Sequence, residues 1–162
     1  MDLPDLREQY YQGVYFKLSD LFSDDYNTEY VIQDDALTKA LYDIDVNFSI
    51  EVFTKDEAEL IQYTFEEEID LLNAVHDNYV YKRLETLNEG SASIKKTYDK
   101  CKFPCLTQII EGNSSYYGEP STYMMATFEA DNKYYVIHLI GVEKNMGYLY
   151  DDFEAILESL TT

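Results

Sequence analysis

Tryptophan is absent from this 162-residue chain, and glycine, proline, cysteine and basic side chains are all scarce. Six glycines and three prolines are too few for a collagen-like, low-complexity or linker-rich polymer. Nor do the glycines form a phosphate loop. Neither G-x-x-x-x-G-K-[ST] nor G-x-G-x-x-G occurs, so no glycine-rich row of backbone amides is offered to a nucleotide. Twelve basic residues stand against 32 acidic ones, a formal charge of −20. Such a surface repels phosphate backbones and anionic lipid and attracts cations and basic proteins. It argues against a nucleic-acid partner and for a protein partner with a basic surface. No run approaches the ~18 apolar residues of a membrane span, so membrane insertion is not expected. Met1-Asp2-Leu3-Pro4-Asp5-Leu6 has neither the basic segment nor the apolar stretch of a signal peptide. Read as it stands the chain is cytoplasmic; with a signal removed ahead of Met1 it is periplasmic or lipid-anchored.

The two cysteines, Cys101 and Cys105, flank Lys102-Phe103-Pro104. Thiols at this spacing suit free cysteines, a small disulfide loop in an oxidising compartment, or part of a zinc site. Zinc wants about two further ligands at suitable spacing, and none follows. The sequence leaves the state of the pair open and implies no cofactor.

What the chain does have is apolar content, at 46% of residues, and 17 tyrosines. A domain of this size buries roughly 70% of its unfolded surface, so residues 1–162 are expected to form a single domain with a real core. Val14, Phe16 and Leu18 share one face of a strand expected over residues 11–18, and a short strand is expected through Tyr30-Val31-Ile32. Val46, Phe48, Ile50 and Val52 alternate with Asn47, Ser49 and Glu51, the pattern of a half-buried strand. Thr54-Lys55-Asp56-Glu57 has the form of a capping box. Ile61, Phe65, Ile69, Leu72, His76 and Tyr79 then recur at helical spacing, which predicts one long helix to about Lys82 with Glu59, Glu66, Glu67 and Asp70 on its solvent side. Strands are expected over residues 91–98, 106–111, 122–130 and 133–142. Asp131-Asn132 supplies the two-residue turn of a hairpin between the last two. Residues 146–160 place Leu149, Phe153, Ile156, Leu157 and Leu160 on one stripe of a closing helix. The fold class is α+β, an antiparallel sheet packed against a long crossover helix and a C-terminal helix.

Residues of catalytic type are present without catalytic spacing. His76 and His138 each sit on an apolar stretch, isolated in sequence from Cys, Asp or Glu at ligand spacing, and read as hydrogen-bonded core residues. No serine lies in a nucleophile elbow. Paired acids such as Asp24-Asp25, Asp34-Asp35 and Asp151-Asp152 lack the D-x-[DN]-x-[DN]-G pattern of a calcium loop. Tyrosine joins a large apolar ring to a polar tip and suits protein interfaces. Tyr116-Tyr117 and Tyr134-Tyr135 are two of its clusters, and on a one-sided sheet one residue of each strand pair is exposed. The candidate partner-binding residues are Glu66, Glu67, Asp70, Tyr116, Tyr117 and Tyr135.

The order of these elements, with Gly13-Val14-Tyr15-Phe16 at the start and Lys133-Tyr134-Tyr135-Val136-Ile137-His138 followed by Asp152-Phe153-Glu154-Ala155-Ile156-Leu157-Glu158-Ser159-Leu160 at the end, resembles the PsbP-like α/β sandwich family. Many members carry proline and tryptophan after the first strand, where this chain has Leu18-Ser19-Asp20-Leu21-Phe22. The resemblance implies a binding module, since the family has no shared catalytic residue and includes photosystem subunits, small lipoproteins and toxin chaperones. The expectation is therefore a non-enzymatic protein-binding module such as an immunity protein or effector chaperone. The alternatives are an envelope lipoprotein-type component, or a small hydrolase in which a carboxylate stands beside His76 or His138.

Overall fold

Two short turns with positive φ set the ends of the two principal hairpins. In the computed structural model, which describes residues 6–24, 36–41, 44–114 and 118–162, Gln12 (φ 48°) and Gly13 (φ 99°) join β1 (Leu6–Tyr11) to β2 (Val14–Ser19). Asp131 (φ 49°) and Asn132 (φ 63°) join β9 (Pro120–Ala130) to β10 (Lys133–Val142). Both turns suit the right-handed twist of the strands they connect. The first corrects the single strand expected over 11–18: Tyr11 lies in β1, opposite Val14 of β2. The strand expected at Tyr30-Val31-Ile32 falls outside the described residues.

Between the hairpins run β3 (Ser23–Asp24), β4 (Leu37–Leu41), β5 (Val46–Phe53), α1 (Lys55–Gln62), α2 (Leu71–Glu85), β6 (Leu87–Ala92), β7 (Lys96–Thr97) and β8 (Cys105–Ser114). After β10 come α3 (Glu143–Met146), a 3-10 turn (Gly147–Leu149) and α4 (Tyr150–Glu158). Strands β3 to β10 form one antiparallel sheet in the order β3-β4-β5-β10-β9-β8-β6, with the short β7 also paired to β8. The expected α+β sandwich is the observed class.

The sheet is covered on both faces. Tyr135, Ile137 and Leu139 of β10 point into a core with Val14, Phe16 and Leu18 of the hairpin and Phe153, Ile156 and Leu157 of α4. Tyr134, Val136 and Ile140 point the other way, against Val75, Tyr79 and Val80 of α2. β5 is therefore no half-exposed strand: Asn47, Ser49 and Glu51 are buried like their apolar neighbours. Tyr134 and Tyr135 are likewise both buried, because the one-sided sheet that would expose one of them does not exist here.

The long crossover helix is two helices. The capping box forms as expected: Glu57 N–H donates to Thr54 Oγ1 at 3.2 Å, and Thr54 N–H donates to Glu57 Oε1 at 3.0 Å. α1 nevertheless stops at Gln62, and α2 restarts with Asp70 as its N-cap, whose Oδ1 accepts from Asn73 N–H at 2.8 Å. The apolar stripe continues through the break in sequence but not in helical geometry. On a continuous helix Glu66 and Glu67 would stand one turn from Asp70 and repel it, whereas here Glu66, Glu67 and Glu68 are exposed in the connector.

Gly141 shows how closely the sheet's end is packed. A Cβ there would stand 2.9 Å from Met146 Sδ, 3.1 Å from the Asp45 carbonyl and 3.1 Å from Val46 Cγ2. Gly141→Ala is expected to cost about 1–3 kcal/mol in urea unfolding, as overpacking against backbone does. An unchanged midpoint would show that the junction of β10 and α3 yields freely.

Candidate functional site

The α1–α2 connection is built as a fixed, exposed acidic turn. Tyr63 N–H donates to the Glu59 carbonyl (3.0 Å), Thr64 Oγ1 donates to the Ile61 carbonyl (2.7 Å) and Gln62 Nε2 donates to the Ile69 carbonyl (2.6 Å). The first two use carbonyls that the end of α1 leaves free, and the third ties that end to the residue before the α2 N-cap. That end presents Tyr63, 92% exposed, beside Leu60, 72% exposed. The half-buried Phe65 rests on Tyr81, with ring centroids 6.2 Å apart, which extends the apolar surface along α2. Glu59, Glu66, Glu67, Glu68 and Asp70 are all exposed around it. No ion pair among the described residues engages Glu66, Glu67, Glu68 or Asp70.

Of the six residues singled out from sequence, Glu66 and Glu67 lie exposed in this connector rather than on a helix face, and Asp70 ends it as the α2 N-cap, with both carboxylate oxygens accepting from Asn73. Tyr116 and Tyr117 lie outside the described residues. Tyr135 lies in the core rather than on the surface: it is 1% exposed, stacks on Phe128 with centroids 4.9 Å apart, and donates its hydroxyl to the Gln12 carbonyl at 2.6 Å. Burial raises its phenol above the usual range. Sequence reasoning missed Leu60, Tyr63 and Tyr81, because the apolar stripe of an assumed continuous helix conceals which tyrosines leave the core.

Both histidines are inside. His76 Nδ1 lies 2.8 Å from Thr127 Oγ1 and its Nε2 lies 2.9 Å from Gln108 Oε1. Burial lowers its pKa to about 4. His138 is wholly buried, and burial with the nearby Arg83 charge holds it well below the ordinary histidine value. Its Nδ1 is 2.5 Å from the Tyr79 hydroxyl and its Nε2 is 2.9 Å from Ser49 Oγ. Arg83 Nη2 donates to the same Tyr79 oxygen at 3.2 Å, and its guanidinium carbon lies 4.9 Å from the Tyr79 ring centre and 5.7 Å from that of Tyr123. Burial pushes the Tyr79 phenol well above the usual range, and the buried Glu51 adds to the shift. Burial would lower the Arg83 pKa, but Tyr79, Tyr123 and Glu51 outweigh it and hold the pKa above its ordinary value.

A groove of about 240 Å³ lies between the β7–β8 edge and α4, lined by Tyr98, Gln108, Met124, Tyr150 and Phe153 among others. Neither histidine lines it; His76 sits behind Gln108. Tyr98 closes one side by donating to Glu158 Oε2 at 2.7 Å. No group of three or more His, Cys, Asp or Glu residues suited to a metal ion occurs among the described residues. No helix among them is long and apolar enough to cross a membrane.

No protein-family model matches the chain, and no curated protein matches it in sequence. In three dimensions it is similar to a mutant of the protein Mog1, at 11% identity and TM-score 0.60 over 96% of this chain and 95% of that one. It is similar also to LpqN, involved in cell envelope biogenesis of Mycobacterium tuberculosis, at 13% identity and TM-score 0.51 over 92% and 82% of the two chains. Cyanobacterial PsbP from Synechocystis follows at 10% identity and TM-score 0.49 over 99% and 94%. At such identities the likeness is one of fold, and it assigns neither family nor function.

The geometry yields two stability predictions. Tyr79→Phe keeps the ring but strips Arg83 and His138 of a shared hydroxyl, and unfolding free energy is expected to fall by about 1–3 kcal/mol. A smaller loss would mean that water replaces the hydroxyl. His76 titrates near 6.5 when unfolded and about 4 when folded, so between those values the unfolded state holds the extra proton. Its contribution is complete above pH 6.5 and is lost as pH falls toward 4. From pH 7 to pH 5 it alone is expected to remove about 2 kcal/mol, a loss that His76→Asn should abolish in denaturant titrations. Equal pH dependence in wild type and variant would refute the assignment.

Proposed function

We propose that the chain is a non-enzymatic protein-binding module that takes a basic protein partner on the acidic, tyrosine-bearing turn between α1 and α2. One observation carries the reading: Leu60, in the last turn of α1, and Tyr63, at its C-terminal end, stand 72% and 92% exposed where α1 runs into a hydrogen-bonded connector, with Glu59, Glu66, Glu67, Glu68 and Asp70 exposed along the same stretch. Large apolar side chains left open beside carboxylates without cations fit the two terms of association. The carboxylates steer a basic surface inward and set the salt dependence. The rings and the leucine then supply buried area, at about 1.5–3 kcal/mol for each fully covered side chain. Holding the turn by hydrogen bonds lowers the ordering cost paid on binding. A stoichiometric binder of this kind is the class to which immunity proteins and effector chaperones belong. Glu66, Glu67 and Asp70 are assigned the steering role and Tyr63 the anchoring role.

Calorimetry against the products of neighbouring genes tests this. A basic protein is expected to bind at low salt and to weaken about tenfold or more as the charges are screened. Glu66→Lys with Glu67→Lys should weaken it by a further tenfold or so through the on-rate, and Tyr63→Ser by a similar factor through the off-rate. All three positions are exposed, so circular dichroism should be unchanged. A complex indifferent to salt, to the double reversal and to Tyr63→Ser would place the interface elsewhere and overturn the proposal.

A further inference from the structure

Thr107 and Ile109 of β8 lie on the face of the sheet that α4 covers, opposite Ala126 and Met124 of β9, yet they are half-buried where the β9 pair is fully inside. The cover runs out at this margin and leaves the groove of about 240 Å³. Its volume lies just below the ~300–1,000 Å³ of drug-sized sites and suits a small ligand. Ile109, Met124, Phe153 and Leu157 give it an apolar floor. Two phenols flank it: Tyr98, just after β7, and the exposed Tyr150, at the start of α4. The charge around it is uneven. Glu154 lines the groove from α4, and Glu158, one helical turn further on, accepts from the Tyr98 hydroxyl at 2.7 Å. No ion pair among the described residues engages either carboxylate. The one cation among the described lining residues is Lys96, exposed on β7 and joined to neither acid.

We propose that this groove binds a small organic ammonium ion with an apolar body. The charge of such a ligand is attracted to the faces of the Tyr98 and Tyr150 rings, and its body is taken out of water on the apolar floor. Donation of the Tyr98 hydroxyl to Glu158 makes that ring more electron-rich and strengthens its hold on a cation. Glu154 supplies the counter-charge. A neutral ligand would gain the floor but leave that carboxylate desolvated beside it without a partner. An anion would meet two carboxylates against Lys96 alone, on a chain of formal charge −20. The long stem of Lys96 lets its charge remain in water at the rim while a cation occupies the groove. The site lies at the β8 margin of the sheet and is independent of the α1–α2 turn.

The test uses the full chain and benzyltrimethylammonium as probe, followed by NMR shifts of backbone amides and methionine methyls. Binding is expected with a Kd of about 1 mM or tighter. The shifts should centre on the Met124 methyl and on the amides of residues 93–98, 107–109 and 150–157, which border the groove. Benzyl alcohol, a neutral counterpart, and phenylacetate, an anionic one, should bind at least about tenfold more weakly. Tyr150→Ala and Glu154→Gln should each weaken the cation at least about threefold, whereas Lys96→Gln should leave it bound at least as tightly. Amide spectra of the variants check the fold. Absence of binding, or shifts as large at the α1–α2 turn as at the groove, would mark the probe as a mere counter-ion of the acidic surface and overturn the proposal. So would equal binding of the three compounds, or a loss of affinity in Lys96→Gln. The wild-type comparison of the three compounds decides the matter even where a variant fails to fold.

Discussion

The buried cluster of Glu51, Tyr79, Arg83 and His138 fixes how the helix layer sits on the sheet. Removing a carboxylate and a guanidinium from water costs several kcal/mol each, and the cost is offset only where partners converge with good geometry. The partners come from four elements. β5 supplies Ser49 and Glu51, α2 supplies Tyr79 and Arg83, β9 supplies the Tyr123 ring, and β10 supplies His138. Tyr79 stands at the junction, within hydrogen-bond reach of His138 Nδ1 and Arg83 Nη2 through one oxygen. A slip of β10 by one residue would turn His138 into the opposite, apolar core and put Ile137 or Leu139 against the guanidinium. Apolar packing on either face tolerates several arrangements, whereas this polar cluster accepts one.

The same cluster explains which parts of the fold were legible. Periodicity located β5, β9 and β10 closely, the Asp131-Asn132 turn with its two positive φ angles, and the capping box at Thr54. It misassigned the exposure of β5 because alternation of Asn47, Ser49 and Glu51 with apolar residues is what a half-exposed strand and a strand with a polar network on one face have in common. The near-continuous apolar run of β10, by contrast, is a signature of burial on both faces. It was the available hint that Tyr134 and Tyr135 would both lie inside.

The helix break was not legible from apolar spacing, since Ile61, Phe65, Ile69 and Leu72 keep their stripe through it. Its physical causes are polar. Asp70 caps a new helix, Thr64 takes the Ile61 carbonyl at the end of α1, and Gln62 takes the Ile69 carbonyl across the connector. The break also decides what the surface presents. On an unbroken helix Tyr63 would be one outward residue among many acids. At the end of α1 it stands 92% exposed, with Glu66 and Glu67 exposed in the connector that follows and Asp70 at the α2 N-cap, although sequence placed all three acids along one helix side. Glu66, Glu67 and Asp70 were thus readable as exposed acids, but their place off a helix face was not.

A surplus of acid outside and compensated charge inside are two answers to one constraint. A chain with 32 acidic residues and 12 basic ones cannot neutralise its carboxylates by pairing, so most must face water and repel one another. Arg83 is nevertheless spent inside the core, where Glu51 and two tyrosines hold its charge, and it is unavailable to offset the surface. At the α1–α2 turn no ion pair among the described residues engages Glu66, Glu67, Glu68 or Asp70, and their charge is left to solvent. On the proposed binding role, a basic surface approaching that turn lowers the repulsion among its carboxylates.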